Sequence, residues 1–195
     1  MMRANENKDR RATWEERFRA GMAVGEPEPS LVEMMPLLPR GIALDVAAEM
    51  GRNAMALARA GFRVIATDFS VTAMSALATV ARAEGLAITT VVSDLEKGFA
   101  FQYRRFDVII NVSYLDRAMV PFLIESLKPG GVLLFDTFLI DQAASGHPRN
   151  PRFLLKHYEL RELLGSLELL RYREGLTVYS GGKQAWRALA VARRA

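Results

Sequence analysis

Gly41-Ile-Ala-Leu-Asp-Val-Ala-Ala-Glu-Met-Gly-Arg-Asn53 is the stretch that decides the fold. Ile42 to Val46 is a short apolar run broken by one acid, which reads as a buried parallel strand. Ala54 to Ala60 is built from Ala, Met, Leu and Arg, good helix formers. Gly61 stops that helix as a left-handed cap residue does. A second strand follows at once, Phe62 to Thr67, and ends in Asp68. The unit is therefore strand, tight turn, helix, strand, acid. Within the turn, Asp45, Ala47, Glu49 and Gly51 occupy alternate positions. Glycine suits such a turn because it tolerates positive φ and lets backbone approach a ligand closely. Here only Gly51 is glycine. Ala47 adds a methyl group, and Glu49 adds bulk and a negative charge.

The same alternation continues outward. Ser70 caps a helix from Val71 to about Glu84, closed by Gly85. Leu86 to Ser93 is a third strand followed by Asp94, and Phe106 to Val112 is a fourth. Tyr114 to Arg117 leads into a helix that runs to about Leu127, Lys128 to Gly131 is a turn, and Val132 to Leu139 is a fifth strand. Five β-α units in succession imply a parallel sheet with right-handed crossovers. Residues 141–151 then form a loop with two prolines. After a helix at Tyr158 to Leu164, Leu167 to Glu174 and Lys183 to Ala192 read as a closing hairpin. The fold class expected is α/β: a Rossmann-like three-layer sandwich whose seven-stranded, mostly parallel sheet ends in a C-terminal antiparallel hairpin strand at its edge. Asp68 lies about 20 residues after the turn, where such units place a ribose-binding carboxylate.

Ahead of this domain (39–195) stands an N-terminal region (1–38). Residues 1 to about 12 read as a mobile arm. Thr13 to Ala20 reads as a short helix with a capping box at Thr13 and Glu16. Trp14 and Phe18 share a face of it, as a packing patch or a lid. A linker of prolines and acids, Gly25 to Ser30, leads to a short helical segment ending at Leu38.

Composition narrows the function. The chain has 195 residues, half of them hydrophobic, enough for one domain with a large core. It has no Cys, so disulfides, thiolate metal sites and Cys nucleophiles are excluded, and a reducing, cytoplasmic setting is expected. Two histidines do not make a His-based metal site, and no metal is expected. The charged start does not read as a signal peptide, and no apolar run has the length of a membrane span. The net charge of +4 comes from arginines spread along the chain. Only Tyr103-Arg-Arg105 and Arg193-Arg194 cluster, so nucleic acid is not an expected partner.

The motifs resemble those of the class I S-adenosylmethionine (SAM) methyltransferases, and more narrowly the tellurite-resistance (TehB-like) branch. Asp45-x-Ala47-x-Glu49-x-Gly51 has the spacing of the family's D-x-G-x-G-x-G loop. Gly51-Arg-Asn-Ala54, Leu57-Ala-Arg-Ala-Gly-Phe62, Asp68-Phe-Ser70, Ser93-Asp-Leu95, Phe106-Asp-Val-Ile109 and Leu127-Lys-Pro-Gly-Gly131 follow in the family's order. Gly146-His-Pro-Arg-Asn-Pro151, Glu159-Leu160 and Arg187 to Arg193 extend the likeness to about residue 193.

The resemblance implies SAM as cofactor, S-adenosylhomocysteine as product and a small-molecule methyl acceptor. It places Asp45, Ala47, Glu49 and Gly51 along the methionine part of SAM. Asp68 would take the ribose hydroxyls, Phe69 would flank the adenine, Asp94 would accept its amine and Leu95 would lie against the ring. Asn111 would face the transferring methyl. Arg opposes the dipole where it opens a helix, so Arg52, beside Asn53, calls for a partner, either the SAM carboxylate or Glu49. Core packing for Phe69 and Leu95, and capping or loop roles for Asp68 and Asp94, are the competing readings. Methyl transfer needs positioning more than covalent help. Asn111, His147 and Arg187 are the candidates at the reacting centre, with Tyr114, Asp116 and His157 as further groups near it. Arg149, Arg152 and Arg187 would suit an anionic acceptor, against a surface ion pair for Arg187. The alternative function is a methyltransferase-fold binding or scaffold module, its SAM site impaired by Glu49. A nicotinamide-binding protein would carry G-x-G-x-x-G, which the chain lacks.

Overall fold

The computed structural model describes residues 12–21, 23–98, 101 and 103–195. Most of the expected N-terminal arm, residues 1–11, lies outside them. The sheet has seven strands: β1 (Ile42–Val46), β2 (Arg63–Asp68), β3 (Ile88–Val92), β4 (Phe106–Val112), β5 (Leu127–Phe138), β6 (Glu168–Tyr179) and β7 (Lys183–Arg193). Their spatial order is β3-β2-β1-β4-β5-β7-β6. The pairs among β1 to β5 are parallel, and β7 is antiparallel to both β5 and β6. The antiparallel strand is thus not at the edge, where the sequence reading put it. β7 inserts between β5 and β6, and β6 forms the edge.

Helices cover both faces because the inner strands are apolar on both. On one face α2 (Pro29–Met34), α3 (Arg52–Arg59) and α4 (Val71–Ala83) bury Leu31, Met34, Leu57, Met74 and Leu77 against Ala43, Val64, Ile110 and Leu134. On the other, α5 (Val120–Ser126) and α7 (Glu159–Leu163) pack Val120, Leu123 and Leu160 on Leu44, Ile109, Leu133 and Phe135. The first helix, α1 (12–19), begins before Thr13, so Thr13 lies inside it. Trp14 and Phe18 stack at 5.8 Å, and Phe18 is buried in the first core layer.

Several boundaries moved for tertiary reasons. The Lys128 to Gly131 turn joins β5, because Gly130 N–H donates to Arg194 O (2.8 Å) and Arg194 N–H to Gly131 O (2.9 Å). The helix after Tyr114 is shortened to a 3-10 turn at Arg117–Met119 and then α5. The loop after β5 contains a four-residue helix, α6 (Gln142–Ser145). β6 runs on to Tyr179 because its outer half pairs with β7 through Tyr179↔Lys183.

Gly131 sits where backbone converges. A Cβ there would lie 2.9 Å from Lys128 O and 3.0 Å from Phe106 O. Neither carbonyl can swing aside as a side chain does. Gly131→Ala is therefore expected to cost about 1–3 kcal/mol of stability in urea unfolding; an unchanged midpoint and slope would contradict this packing.

Candidate cofactor site

The carboxyl ends of the parallel strands carry a row of polar groups with no hydrogen-bond partner among the described residues. Asp45 Oδ2 on β1, Thr67 Oγ1 on β2, Asn111 Oδ1 on β4 and Thr137 Oγ1 on β5 are all buried in this state. Val46 is in register with both Thr67 and Asn111, so three of these strands end level. Buried polar atoms are ordinarily satisfied, and parallel α/β sheets bind ligands at this edge.

The turn after β1 closes over the edge. Ala47 (φ 53°), Glu49 (φ 51°) and Gly51 (φ 81°) are all left-handed. For Ala47 and Glu49 this costs roughly 1–2 kcal/mol each. Three backbone bonds hold the turn in place. Ala48 N–H donates to Thr67 O (2.9 Å), Gly51 N–H to Ala48 O (2.8 Å), and Glu49 N–H to Asp68 Oδ2 (3.0 Å). The other Asp68 oxygen accepts from Ser70 N–H at 3.0 Å, and Ser70 Oγ caps α4 by accepting from Ala73 N–H at 3.0 Å. Asp68 thus braces the turn and the start of α4 at once. α3 has no side-chain cap; Asp45 accepts from its Ala54 N–H instead.

Charge is crowded here. Asp45 is 1% exposed. Burial pushes its carboxyl up to about 8, against the pull of Arg52 and the Ala54 N–H, with Glu49 and Asp68 adding to the rise. Burial also raises Glu49; Arg52 opposes this, Asp68 and Glu28 reinforce it, and Arg17 opposes it again. Burial raises Asp68, against hydrogen bonds from Ser70, Glu49 and Phe69. Arg52 has a partner within the chain, as its place at a helix start called for, and it also pulls on Glu49. The partner is Glu28, 1% exposed, at 3.3 Å. Asn53 is engaged beside it, its Oδ1 accepting from Glu28 N–H at 2.9 Å. The acids of the Gly25 to Ser30 linker were the available signal for this pairing.

The N-terminal segment meets the site at three points. Glu15 on α1 accepts from the hydroxyls of both Ser70 and Thr72. Glu28 holds Arg52, and Ser30 Oγ donates to Asp136.

The remaining candidates fall as follows. Phe69 packs half-buried on the first core layer, and Leu95 is buried in the second. Asp94 Oδ1 accepts from Glu96 N–H (3.2 Å) and pairs with Lys97 at 3.4 Å, as a turn acid does. Asn111 donates to Tyr114 O at 2.7 Å, which leaves its Oδ1 at the strand end. Asp116 Oδ1 caps the following 3-10 turn through Ala118 N–H. His147, Arg149 and Arg152 are exposed on the loop after β5. His157 bridges Asp141 (2.8 Å) and Glu174 (3.2 Å), tying that loop to β6.

Arg187 is buried, not on the surface. At 2% exposure it donates to Asp136 Oδ1 (2.7 Å), Asp136 O (3.1 Å) and Ser113 Oγ (3.1 Å). Its guanidinium lies over Phe138 at 4.5 Å. It locks β7 to β5 beside a small cavity of about 100 Å³ that Ser30 and Thr177 also line.

Residues 43–131 match a protein family described as a methyltransferase domain. No curated protein matches the chain by sequence. Among solved structures, TehB from Haemophilus influenzae superposes with a TM-score of 0.73 at 20% identity, over 85% of this chain and 62% of TehB. A protein studied for the conversion of a disulfide bond into a thioacetal group during echinomycin biosynthesis gives 0.71 at 23%, over 88% of this chain and 83% of its own. Geranyl diphosphate C-methyltransferase from Streptomyces coelicolor A3(2) gives 0.66 at 15%, over 85% and 80%. The matched stretch is a methyltransferase domain, and the fold is that of SAM-dependent methyltransferases. Within that class, the chain resembles class I enzymes, TehB among them.

The residues present fit part of the SAM cofactor. The left-handed turn, the orphaned strand-end oxygens and the acids suit a nucleoside with a sulfonium and an ammonium. They do not offer a spare cation to its carboxylate.

Two outcomes follow. Between the ordinary carboxylate value of 3.8 and about 8, folded Asp45 keeps a proton that the unfolded chain releases. Its contribution to stability is therefore lost as pH rises through that window. Asp45→Asn should gain on the wild type as pH rises, by at most about 1.4 kcal/mol per pH unit. Urea unfolding at pH 5 and pH 8 checks this, and a pH-independent difference would contradict it. Arg187→Ala leaves Asp136 buried and unpaired and should cost about 3–5 kcal/mol, whereas Arg187→Met with Asp136→Leu should recover most of the loss. Equal losses in both variants would refute a strut role for the pair.

Proposed function

We propose that the chain is a SAM-dependent methyltransferase acting on a small-molecule acceptor by in-line methyl transfer. The observation that carries this is the left-handed turn from Asp45 to Gly51, braced by Asp68 over a parallel-sheet edge with orphaned polar atoms. When bound, the cofactor supplies an electrophilic methyl on a sulfonium, which leaves as a neutral thioether once the acceptor's lone pair forms the new bond. The protein's contribution is placement. Asp68 and the turn's backbone hold the nucleoside end. Asn111, its amide fixed on Tyr114 O, presents Oδ1 beside the reacting centre. The helices α1 and α2 serve as a lid: they fasten across the strand ends through Glu15, Glu28 and Ser30 and keep water from the site. The geranyl diphosphate enzyme supports a small-molecule acceptor by analogy.

Glu49 favours a second reading, a binding or scaffold module with SAM affinity lost. Its carboxyl would stand in the loop position that lines the methionine end, and burial keeps it above its ordinary range despite the pull of Arg52 and Arg17. Calorimetric titration with S-adenosylhomocysteine and SAM, on wild type and Glu49→Gly, separates the two. Micromolar binding by the wild type, with a rise in Tm, is expected. Binding by Glu49→Gly alone would establish the scaffold reading, and binding by neither would overturn the cofactor site.

A further inference from the structure

The second face of the sheet is covered unevenly. α5 and α7 stand over its β4 and β5 side. Between β3 and β4, the described residues (93–98, 101 and 103–105) form turns and no helix. A crossover helix is the usual cover for parallel strands at that place. Leu95 and Phe101 of this connection pack into the second core layer, and neither reaches the amino ends of β1, β2 and β3. Those ends hold an open trough of about 350 Å³. It lies at the opposite end of the strands from the turn between Asp45 and Gly51. Register sets Ile42 beside Arg63 and Ile65 beside Thr89, so these four side chains share one face. Half-buried Ile42, Ile65 and Leu86 give the trough its apolar lining, and exposed Arg63 and Arg105 give it two guanidiniums. No acid lines it among the described residues. The neighbouring Asp107 is matched already: its Oδ2 accepts from Ile42 N–H at 2.7 Å and from Lys128 Nζ at 2.8 Å. The guanidinium of Arg63 has no ion pair or hydrogen bond among the described residues.

We propose that this trough is a second binding site, for a small amphiphilic anion: a carboxylate or phosphate head on a short aliphatic body. The site is separate from the cofactor end and does not depend on the cofactor reading. Arg63 and Arg105 take the head, because a guanidinium presents its donors in a fork that matches two oxygens of a carboxylate or phosphate. The hydroxyl of Thr89 adds a further donor on the same face. Ile42, Ile65 and Leu86 take the body, where each methylene removed from water is worth up to about fourfold in affinity. The volume falls in the range of small-molecule sites. A second copy docked trough to trough about a two-fold axis would set the same arginines against each other, so the charge favours an anion over self-association.

Methyl carbon-13 spectra and calorimetric titration with octanoate, octyl phosphate and 1-octanol, on wild type and Arg63→Gln, test the proposal. The two anions should shift the δ1 methyls of Ile42 and Ile65 and leave that of Ile140, beyond the far end of β5, in place. Tighter binding of either anion supports the site and names its head group. 1-Octanol, which has the body without the charge, should bind at least about tenfold more weakly than octanoate. Arg63→Gln should lose about tenfold in affinity for the anions and keep its affinity for 1-octanol, with an unchanged Tm to show that it is folded. Shifts at Ile140 without shifts at Ile42 and Ile65 would overturn the site. Equal affinity for octanoate and 1-octanol, or equal octanoate affinity in wild type and Arg63→Gln, would overturn recognition of an anion. Movement of the same two methyls on dilution, with no probe present, would give the trough to a second copy and overturn the proposal. No binding of any probe would overturn it outright, and binding of SAM elsewhere bears on none of these outcomes.

Discussion

The carboxylate of Asp68 is the fixed point of this molecule. One oxygen takes the N–H of Glu49 and the other the N–H of Ser70. Those two bonds pin the turn after β1 to the end of β2 and set the start of α4. Together with the bonds from Ala48 N–H to Thr67 O and from Gly51 N–H to Ala48 O, they hold Glu49 in a backbone conformation that costs a non-glycine residue roughly 1–2 kcal/mol. The strain and its brace sit together at the edge where a parallel sheet takes its ligand, the usual place for such strain in an α/β protein.

The consequence is electrostatic. A turn made with glycines exposes backbone and carries no charge of its own. This one brings Glu49 toward Asp45 and Asp68, and the N-terminal segment adds Glu28. Arg52 pairs with Glu28 and pulls on Asp45 and Glu49, Arg17 also pulls on Glu49, and burial pushes Asp45, Glu49 and Asp68 toward their neutral forms. The same segment that supplies Glu28 also ties α2 to β5 through Ser30 and Asp136, and Asp136 in turn holds Arg187 on β7. The N-terminal segment, the turn and the antiparallel strand are therefore linked through carboxylates rather than through apolar packing alone.

How much of this was legible in the sequence follows from how local each feature is. β4 falls on Phe106–Val112 as its apolar run implies, and Ser70 caps α4 as its hydroxyl before Val71 implies. Both are decided within a few residues. The alternating positions 45, 47, 49 and 51 marked the turn, and the left-handed φ values at Ala47, Glu49 and Gly51 follow from that spacing. What escaped was settled by distant partners. Arg52 pairs with a residue 24 positions earlier, and Arg187 with one 51 positions earlier. Their charges showed that partners were needed and not which. The place of β7 between β5 and β6 depends on pairing with two strands at once, which a hairpin pattern does not encode. Leu95 is buried in the second apolar layer, which reaches the end of β3.

Carbon-13 NMR titration of the Asp and Glu carboxyls, with Asp45 assigned through Asp45→Asn, tests the claim of a charge-crowded turn most directly. The account predicts that Asp45 keeps its proton through neutral pH and titrates near 8, with Glu49 and Asp68 also above their ordinary range. Titration of all three near the ordinary carboxylate values would mean that solvent reaches them and that burial does not hold their protons, which would contradict the account of a buried, crowded turn.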